Sequence, residues 1–352
     1  MKKLGAFICH GMVLCTLLAT MTGCALPQTQ PPPPTSIPAT VTLPATAEAS
    51  PATQTSTIAP TSPPTAAITP TIITPFSFAV TADMRAFTGP GEYDTSAYFR
   101  GALEAIATLG DLAFLVTPGD IDNPWNSRWS IDQTLGVNFP WFAGVGNHEH
   151  LEESMAWLRQ YNPDTNGDAP PNITNSGPKS CPQTTYSFDY QNAHFVMLNI
   201  YCDALKDMTT YGTVGGTLYN WLEADLAATQ KEHIFVFGHE PAFPLPDADT
   251  GRVRHIGASL DKEPADRDRF WALLRENRVT AYICGHTHNY SAARLDGVWQ
   301  IDVGHARGVG DPEVPSTFVL FRVNGASVMY ETYRAGENGQ DYTLRDWSAL
   351  AP

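Results

Sequence analysis

Short apolar runs recur along the chain from residue 76 onward, and each one ends close to an aspartate, an asparagine or a histidine. Their length and their aliphatic and aromatic content predict buried β-strands. Five such strands are predicted, at Phe76–Val80, Leu112–Val116, Trp141–Val145, Ile234–Phe237 and Ala281–Cys284. The polar residues that follow these strands are therefore the first candidates for a functional site.

Helical periodicity separates several of the strands. Apolar residues spaced three and four apart between Phe99 and Ile106 predict a helix over Tyr98–Thr108. Further helices are predicted at about Leu151–Tyr161, Leu218–Gln230 and Asp266–Glu276. Residues 162–183 are rich in Asn, Pro, Gly and Asp, so we expect a long surface loop there.

Strands predominate later in the chain. Tyr186–Tyr190 and His194–Ile200 predict two strands joined at Gln191-Asn192. The tail predicts three successive antiparallel strands, at Val298–Val303, Thr317–Val323 and Ala326–Tyr333. Alternating strands and helices followed by strands favour a mixed α/β domain with two sheets.

The N-terminal residues have the features of an export signal. Lys2 and Lys3 precede a mostly apolar stretch that ends in Met21-Thr22-Gly23-Cys24. Small residues before a cysteine resemble a bacterial lipobox, which predicts a lipoprotein-type signal peptide at 1–24 and a membrane anchor on a lipidated Cys24. An ordinary signal peptide and an uncleaved anchor are the alternatives. All three place the rest of the protein outside the cytoplasm.

A segment rich in Pro, Thr, Ala and Ser follows, at residues 25–75. Such a composition cannot build a core, so we expect a disordered linker there and a folded domain at 76–352. The formal net charge of the chain is −15. An acidic protein repels a nucleic-acid backbone, so no nucleic-acid partner is expected. A small phosphate ester stays compatible with this charge, because a bound metal reverses the field locally.

The residues at the strand ends are typical metal ligands. The carboxyl ends of strands in an open α/β sheet lie together, so these side chains are expected to converge. The predicted ligands are Asp83, Asp120, Asn147, His239, His286 and His288. This mixture of nitrogen and oxygen donors suits one or two divalent ions of the Fe, Mn or Zn type better than calcium, which prefers oxygen alone.

The same residues lie in five short blocks whose order resembles that of the calcineurin-like metallophosphoesterase superfamily. The blocks are Asp83-x-Arg85, Gly119-Asp120, Gly146-Asn147-His148-Glu149, Gly238-His239 and Gly285-His286-Thr287-His288. The resemblance covers about residues 76–335 and implies a four-layer αββα sandwich with two mixed β-sheets.

The resemblance also implies a role for each ligand. Asp120 would bridge two metals, and Asp83 and His288 would bind the first of them. The second metal would be bound by the remaining ligands, Asn147, His239 and His286. His148 would bind no metal; it would contact a phosphate oxygen or protonate the leaving alkoxide, for which an imidazole is suited because its pKa lies near neutrality.

Arg85 departs from the family pattern, which has a histidine ligand at this place. A guanidinium cannot ligate a metal. Arg85 is expected either to bind a phosphate oxygen of the substrate or to form a salt bridge with a nearby acid such as Asp120 or Asp122. The departure leaves the first metal with fewer ligands than the second.

Other polar residues have weaker signals. His150, His305 and Asn123 are placed where they could line the substrate pocket, whereas His194, His233 and His255 are expected to be ordinary surface or core groups. Cys181 and Cys202 could form a disulfide in an exported domain. Cys284 is expected to be a buried free thiol.

Together these features predict an exported enzyme that hydrolyses phosphate mono- or diesters. A metal-activated hydroxide would attack phosphorus while Arg85 and His148 act on the substrate. One alternative is a non-catalytic surface binding lipoprotein with a degenerate metal site. Another is a purple-acid-phosphatase-like monoesterase, a family that expects a tyrosine where Asn123 stands.

Overall fold

A computed structural model of the protein describes residues 74–162 and 173–351. The predicted signal peptide and nearly all of the predicted linker lie outside these residues. The strands are β1 Phe76–Val80, β2 Phe114–Thr117, β3 Trp141–Ala143, β4 Ile173–Ser176, β5 Tyr186–Tyr190, β6 Ala193–Met197, β7 His233–Phe237, β8 Ala281–Cys284, β9 Tyr290–Leu295, β10 Val298–Val303, β11 Thr317–Asn324, β12 Ser327–Arg334 and β13 Thr343–Ala351. The α-helices are α1 Phe99–Ala107, α2 Pro124–Thr134, α3 Glu152–Tyr161, α4 Gly216–Ala228 and α5 Pro264–Glu276.

The first sheet has six strands in the order β13-β12-β11-β1-β2-β3. Its strands β1, β2 and β3 run parallel, with Phe78 opposite Phe114 and Val116 opposite Phe142. Strand β11 pairs with β1 in the antiparallel direction. The carboxyl ends of β1, β2 and β3 therefore lie side by side at one edge of this sheet.

The second sheet has seven strands in the order β4-β5-β6-β7-β8-β10-β9. Strands β6, β7, β8 and β10 are parallel, and β5 and β9 add antiparallel strands on either side. The carboxyl ends of β7 and β8 are again neighbours. Both sheets are thus mixed, as predicted.

The side-chain alternation of the strands divides the interior into two kinds of core. Phe78 is completely buried among aromatic rings of both sheets, 4.8 Å from the ring of Phe321 and 5.2 Å from that of Phe235. The next residue, Ala79, points the other way and packs with apolar side chains of the helices. This alternation of sheet-facing and helix-facing residues confirms the predicted two-sheet α/β sandwich.

The structure corrects two predictions of secondary structure and adds three elements that were not predicted. Strand β10 does not form a meander with β11 and β12; it joins the second sheet, where Ile301 lies opposite Ile283 of β8. The predicted long loop contains a strand, β4. Helix α2 and strands β9 and β13 were not predicted, because their sequences lack a continuous apolar face.

A disulfide joins Cys181 to Cys202, and Cys284 is a buried free thiol. The disulfide ties the segment before β5 to the segment after β6. In the part of the chain that the structure describes, no helix is both long enough and apolar enough to cross a membrane.

Candidate metal centre

Both sheets place their predicted ligands at the carboxyl ends of parallel strands. Asp83, Asp120 and Asn147 follow β1, β2 and β3, while His239 follows β7 and the pair at 286 and 288 follows β8. Asp83, Asp120 and His239 each offer a donor atom, and these three atoms lie within 4.8 Å of one another. The two sheets therefore bring the predicted ligands to a common place, as the sequence suggested.

The backbone is strained where it delivers the ligands. Asp83 and Asp120 both have φ of 54°, and His286 and His288 have φ of 71° and 59°. Non-glycine residues rarely adopt this left-handed region, and clusters of such residues are characteristic of functional sites. The strained backbone therefore coincides with four of the predicted ligands.

Two glycines of the sequence blocks are required by close approach. A Cβ atom on Gly146 would lie 2.3 Å from Oδ1 of Asp120, and one on Gly285 would lie 2.4 Å from Oδ2 of Asp83. Any side chain at either position would displace a carboxylate. Glycine before asparagine and before histidine in these blocks is therefore a packing requirement of the centre.

The ligands predicted for the second metal face one another closely. Oδ1 of Asn147 lies 3.2 Å from Nε2 of His239 and 3.1 Å from Nδ1 of His286. Nε2 of His239 also lies 3.3 Å from Oδ1 of Asp120. Donor atoms of one tetrahedral ion are about 3.4 Å apart when the metal bonds are about 2.1 Å long. The spacing and chemistry of this set fit a divalent ion.

The first metal would have fewer ligands. Oδ1 of Asp83 lies 3.4 Å from Nε2 of His288, and Asp83 is fully buried. Apart from this long contact with His288, Oδ1 has no hydrogen-bond partner among the described residues, and leaving a buried carboxylate oxygen poorly paired is costly. A cation beside Asp83 and His288 would satisfy this oxygen, so the residues fit a first ion as well.

The pKa values of the two buried carboxylates are shifted in opposite directions. Burial alone would raise the pKa of Asp83, but the neighbouring His288, His239 and Arg307 hold it well below its ordinary value. Burial and the negative charge of Asp83 raise the pKa of Asp120 to about 7. A cation between the two would lower the pKa of Asp120 again. The buried carboxylates of Asp83 and Asp120 therefore place negative charge at the centre that a cation would neutralise.

The imidazoles are in the form that a metal requires. Burial lowers the pKa of His239, and burial together with the charge of His239 lowers that of His286 well below its ordinary value. Both rings are therefore neutral near pH 7. A neutral imidazole has the free nitrogen lone pair that coordination needs.

Arg85 makes one of the two predicted contacts. Its Nε donates to Oδ1 of Asp122 at 3.0 Å, which is one of the predicted salt bridges. Its Nη1 lies 3.2 Å from Nε2 of His148, so the guanidinium also reaches the predicted catalytic histidine. The side chain remains 31% exposed, so part of it is accessible to solvent.

Glu149, to which the sequence assigned no role, supports the centre from beneath. It is fully buried and accepts hydrogen bonds from the backbone N–H groups of Asp120, Ile121 and Gly146, at 3.0, 2.8 and 2.5 Å. Burial and the charge of Asp120 raise the pKa of Glu149 well above its ordinary value. The carboxyl group fixes the turns after β2 and β3 relative to each other. The one feature of the sequence that could have predicted this role is the position of Glu149 in the Gly-Asn-His-Glu block.

Several residues near the centre come from loops and were missed. The ring of His255, expected to be an ordinary group, stacks on that of His286 with 4.2 Å between centroids. Arg307 donates from Nε to the carbonyl oxygen of Asp83 at 2.7 Å. Loops carry no periodicity, so the sequence offered no signal for these contacts.

The weaker candidates divide. His305 is completely buried: its Nε2 lies 3.1 Å from the carbonyl oxygen of Val314, and its Nδ1 accepts from the backbone N–H of Arg307 at 3.0 Å. His150 is exposed, with its ring centroid 6.5 Å from that of His148. Asn123 begins α2. His194 and His233 are buried structural groups, as expected.

Known proteins share sequence and fold with this chain. The profile of the calcineurin-like phosphoesterase family matches residues 76–290. Tartrate-resistant acid phosphatase type 5 from Mus musculus is 28% identical over 159 residues, which are 43% of this chain and 44% of that protein. The same phosphatase from Homo sapiens is 27% identical over 157 residues, 43% of each chain. The match thus spans less than half the length of these relatives.

Solved structures add the fold. PhoD superposes with a TM-score of 0.55 at 12% identity, over 78% of this chain and 69% of that one. Purple acid phosphatase PPD1 from yellow lupin (Lupinus luteus) seeds superposes with a TM-score of 0.51 at 13% identity, over 78% of this chain and 53% of that one. Because the family profile covers more than half of its 352 residues, the chain belongs to the calcineurin-like phosphoesterase family.

Proposed function

We propose that this protein is a metal-dependent hydrolase of phosphate mono- or diesters. One observation carries the proposal: Nε2 of His239, whose pKa is lowered by burial, lies 3.2 Å from Oδ1 of Asn147 and 3.3 Å from Oδ1 of Asp120. Beside this set, the buried Oδ1 of Asp83 has Nε2 of His288 at 3.4 Å and no closer hydrogen-bond partner among the described residues, which leaves it available to a cation. Family membership supports the same reaction class.

The chain's own residues would bind and activate the ester. When bound, the divalent ions would supply positive charge that stabilises negative charge on the phosphoryl oxygens and lowers the pKa of water. Arg85 would bind a phosphoryl oxygen through its accessible guanidinium. His148, 33% exposed beside Asp120, would donate a proton to the leaving oxygen as the phosphorus–oxygen bond to that group breaks.

We further propose that the enzyme acts outside the cytoplasm. Support comes from the sequence of residues 1–24, with its lipobox-like end at Cys24, and from the proline-rich segment at 25–75. In this proposal the lipidated Cys24 anchors the protein to a membrane, and the linker holds the domain away from it.

A generic phosphate monoester and a generic diester test the proposed reaction. Purified protein supplied with Mn²⁺ or Zn²⁺ is expected to hydrolyse at least one of them, and the same protein treated with a chelator is expected to lose this turnover. Turnover that is equal with and without metal would refute the metal-dependent mechanism.

An acid-phosphatase-like monoesterase is the second candidate. The sequence match to tartrate-resistant acid phosphatase type 5 favours it. Asn123 opposes it, because purple acid phosphatases expect a tyrosine at this place. A strong preference for the monoester over the diester would favour this candidate.

Non-catalytic binding is the remaining alternative. Binding alone requires neither the strained delivery of four ligands nor a histidine beside them. Protein that binds no metal and hydrolyses neither ester would favour this alternative over both enzymes.

A further inference from the structure

One nitrogen of His288 has two neighbours that demand opposite hydrogen bonds. Nδ1 lies 2.6 Å from Oδ2 of Asp311 and 2.5 Å from Nη1 of Arg254. A carboxylate only accepts, so its bond requires a proton on Nδ1. A guanidinium only donates, so its bond requires a lone pair on Nδ1. The two bonds cannot form together on one nitrogen.

The choice at Nδ1 fixes the chemistry at the opposite nitrogen of the ring. Nε2 of His288 faces Oδ1 of Asp83 at 3.4 Å, on the side of the first metal. A neutral ring with its proton on Nδ1 has a lone pair on Nε2 and can bind an ion there. A neutral ring with its proton on Nε2 would instead donate towards Asp83 and could not ligate.

We propose that Asp311 is a positioning residue, which holds His288 in the tautomer that binds the first metal, and that Arg254 opposes it. This inference rests on the proposed metal-dependent function. This tautomer matters because Arg85 stands where the family pattern has a histidine ligand of the first metal. With one ligand fewer, the first site depends more heavily on Nε2 of His288.

The surroundings favour Asp311 in this competition. The Asp311 side chain is only 12% exposed, and Nη1 of Arg252 lies 3.3 Å from its Oδ1. The Arg254 side chain is 37% exposed, with Nη1 3.9 Å from Oδ2 of Asp311, so it can turn towards solvent or pair with that carboxylate. A carboxylate that receives the N–H of a metal-binding imidazole fixes its tautomer and orientation.

Asp311 also lies outside the segment that matches the family profile, which ends at residue 290. The stretch between β10 and β11 therefore adds a contact to the first site that the family blocks do not contain. Arg307 of the same stretch contacts the carbonyl oxygen of Asp83, which brings this stretch against both ligands of the first metal.

Titration of metal-free protein with Mn²⁺ tests the positioning role. Asp311→Ala is expected to weaken the first site about 10- to 100-fold, and Asp311→Asn less, because its amide oxygen can still accept from Nδ1. Arg254→Gln is expected to tighten the first site. Glu313→Gln is the matched control: Glu313 also pairs with Arg252 and is 72% exposed, and its loss is expected to leave both sites unchanged.

Charge alone would move these affinities in the same directions, so the tautomer must be read separately. Nitrogen NMR of metal-free, ¹⁵N-histidine-labelled protein at about pH 8 distinguishes protonated Nδ1 from protonated Nε2; His288→Gln identifies the resonance. The expected result is protonated Nδ1 in the unsubstituted protein and protonated Nε2 in Asp311→Ala. Protonated Nε2 in the unsubstituted protein, or an unchanged tautomer in Asp311→Ala, would overturn the inference.

The outcomes separate this inference from the proposed function. Unsubstituted protein that binds Mn²⁺ at neither site would refute the function and the inference together. Binding at both sites with equal first-site affinity in Asp311→Ala would refute the positioning role alone. Binding at the second site only would also refute it, because no first site would exist for His288 to serve.

Discussion

At the scale of single residues, His148 and the ligands beside it are expected to fail in different ways when substituted. Asn147 faces two histidines at 3.1 and 3.2 Å, whereas His148 contacts Arg85 and lies 3.8 Å from Asp120. In the proposed function, the first residue holds a metal and the second acts on the substrate. Metal content and turnover therefore separate their roles.

His148→Asn is expected to lower turnover of a phosphate ester about 100- to 10,000-fold, because it removes the proposed proton donor. Metal content is expected to stay unchanged. Steady-state rates with esters of good and poor leaving groups check this, since a good leaving group needs less protonation and should lose less. An equal loss for both esters would contradict the assigned role.

Arg85→Lys is expected to weaken the use of substrate more than the binding of metal. Lysine keeps the charge but cannot pair with Asp122 and reach an ester with a planar fork. Measurements of kcat/KM and of bound metal give the comparison. Asp122→Asn serves as a control that loses the salt bridge but keeps the guanidinium. Equal losses of metal and of kcat/KM in Arg85→Lys would favour a purely structural role.

At the scale of secondary-structure elements, a charged contact outside the ligand blocks joins β5, β6 and α4. His194 of β6 is buried and lies 2.7 Å from Oδ1 of Asp189 on β5 and 2.9 Å from Oδ2 of Asp225 on α4. Burial would lower the pKa of His194, but hydrogen bonds to the two carboxylates raise it above its ordinary value. Hydrogen bonds from His194 and its neighbours lower the pKa of Asp225 despite burial.

This contact predicts a stability that depends on pH. A raised histidine pKa contributes stability that is complete below about pH 6.5 and is lost as pH rises through the folded value. His194→Asn is therefore expected to lower the free energy of unfolding by about 1–3 kcal/mol at pH 5.5, and by less at pH 9. Denaturant unfolding at both pH values measures the difference. The exposed His150→Asn is the control, and an equal cost at both pH values for His194→Asn would contradict the account.

How much of the site could be predicted depended on which elements carry it. Ligands such as Asp120 and His239 follow buried apolar runs, and parallel strands bring their carboxyl ends together, so convergence could be predicted. Arg254, His255 and Asp311 come from loops whose path depends on tertiary packing. No periodicity in the sequence announces where such loops return to a site.

Prediction of the fold was limited for the same physical reason. Alternation predicted that Val298–Val303 is a strand, yet alternation does not specify its partner, and β10 joined β8 and β9 rather than β11. Helix α2 has a mixed sequence, although Asn123 followed by Pro124 is a common way for a helix to begin. The partner of a strand and the buried face of a helix depend on the neighbouring elements of the fold, which the local sequence does not specify.

At the scale of the whole molecule, the centre links the two sheets. Asp83 and Asp120 come from the first sheet and His239 and His286 from the second, so an ion bound by both sets would hold the sheets together at this edge. A ligand that binds only the folded state stabilises it by mass action.

Metal is therefore expected to raise the melting temperature of the chelator-treated protein. Mn²⁺ at about 100 times its dissociation constant would add about 2.7 kcal/mol, which corresponds to roughly 5 °C for a domain of this size. Differential scanning calorimetry checks this. Asn147→Ala is expected to show a smaller shift, and an equal shift in both proteins would place the stabilising ion elsewhere.

The central claim is that the residues at the strand ends bind metal and that this metal supports phosphate-ester hydrolysis. Its most direct test is one titration: metal-free protein and its Asn147→Ala variant receive Mn²⁺ while bound metal and ester turnover are recorded together. We predict that turnover of the unsubstituted protein rises with bound metal, and that the variant loses at least about 100-fold in turnover with weakened binding. Protein that binds no metal and hydrolyses neither ester, or a variant that keeps full turnover, would contradict the claim.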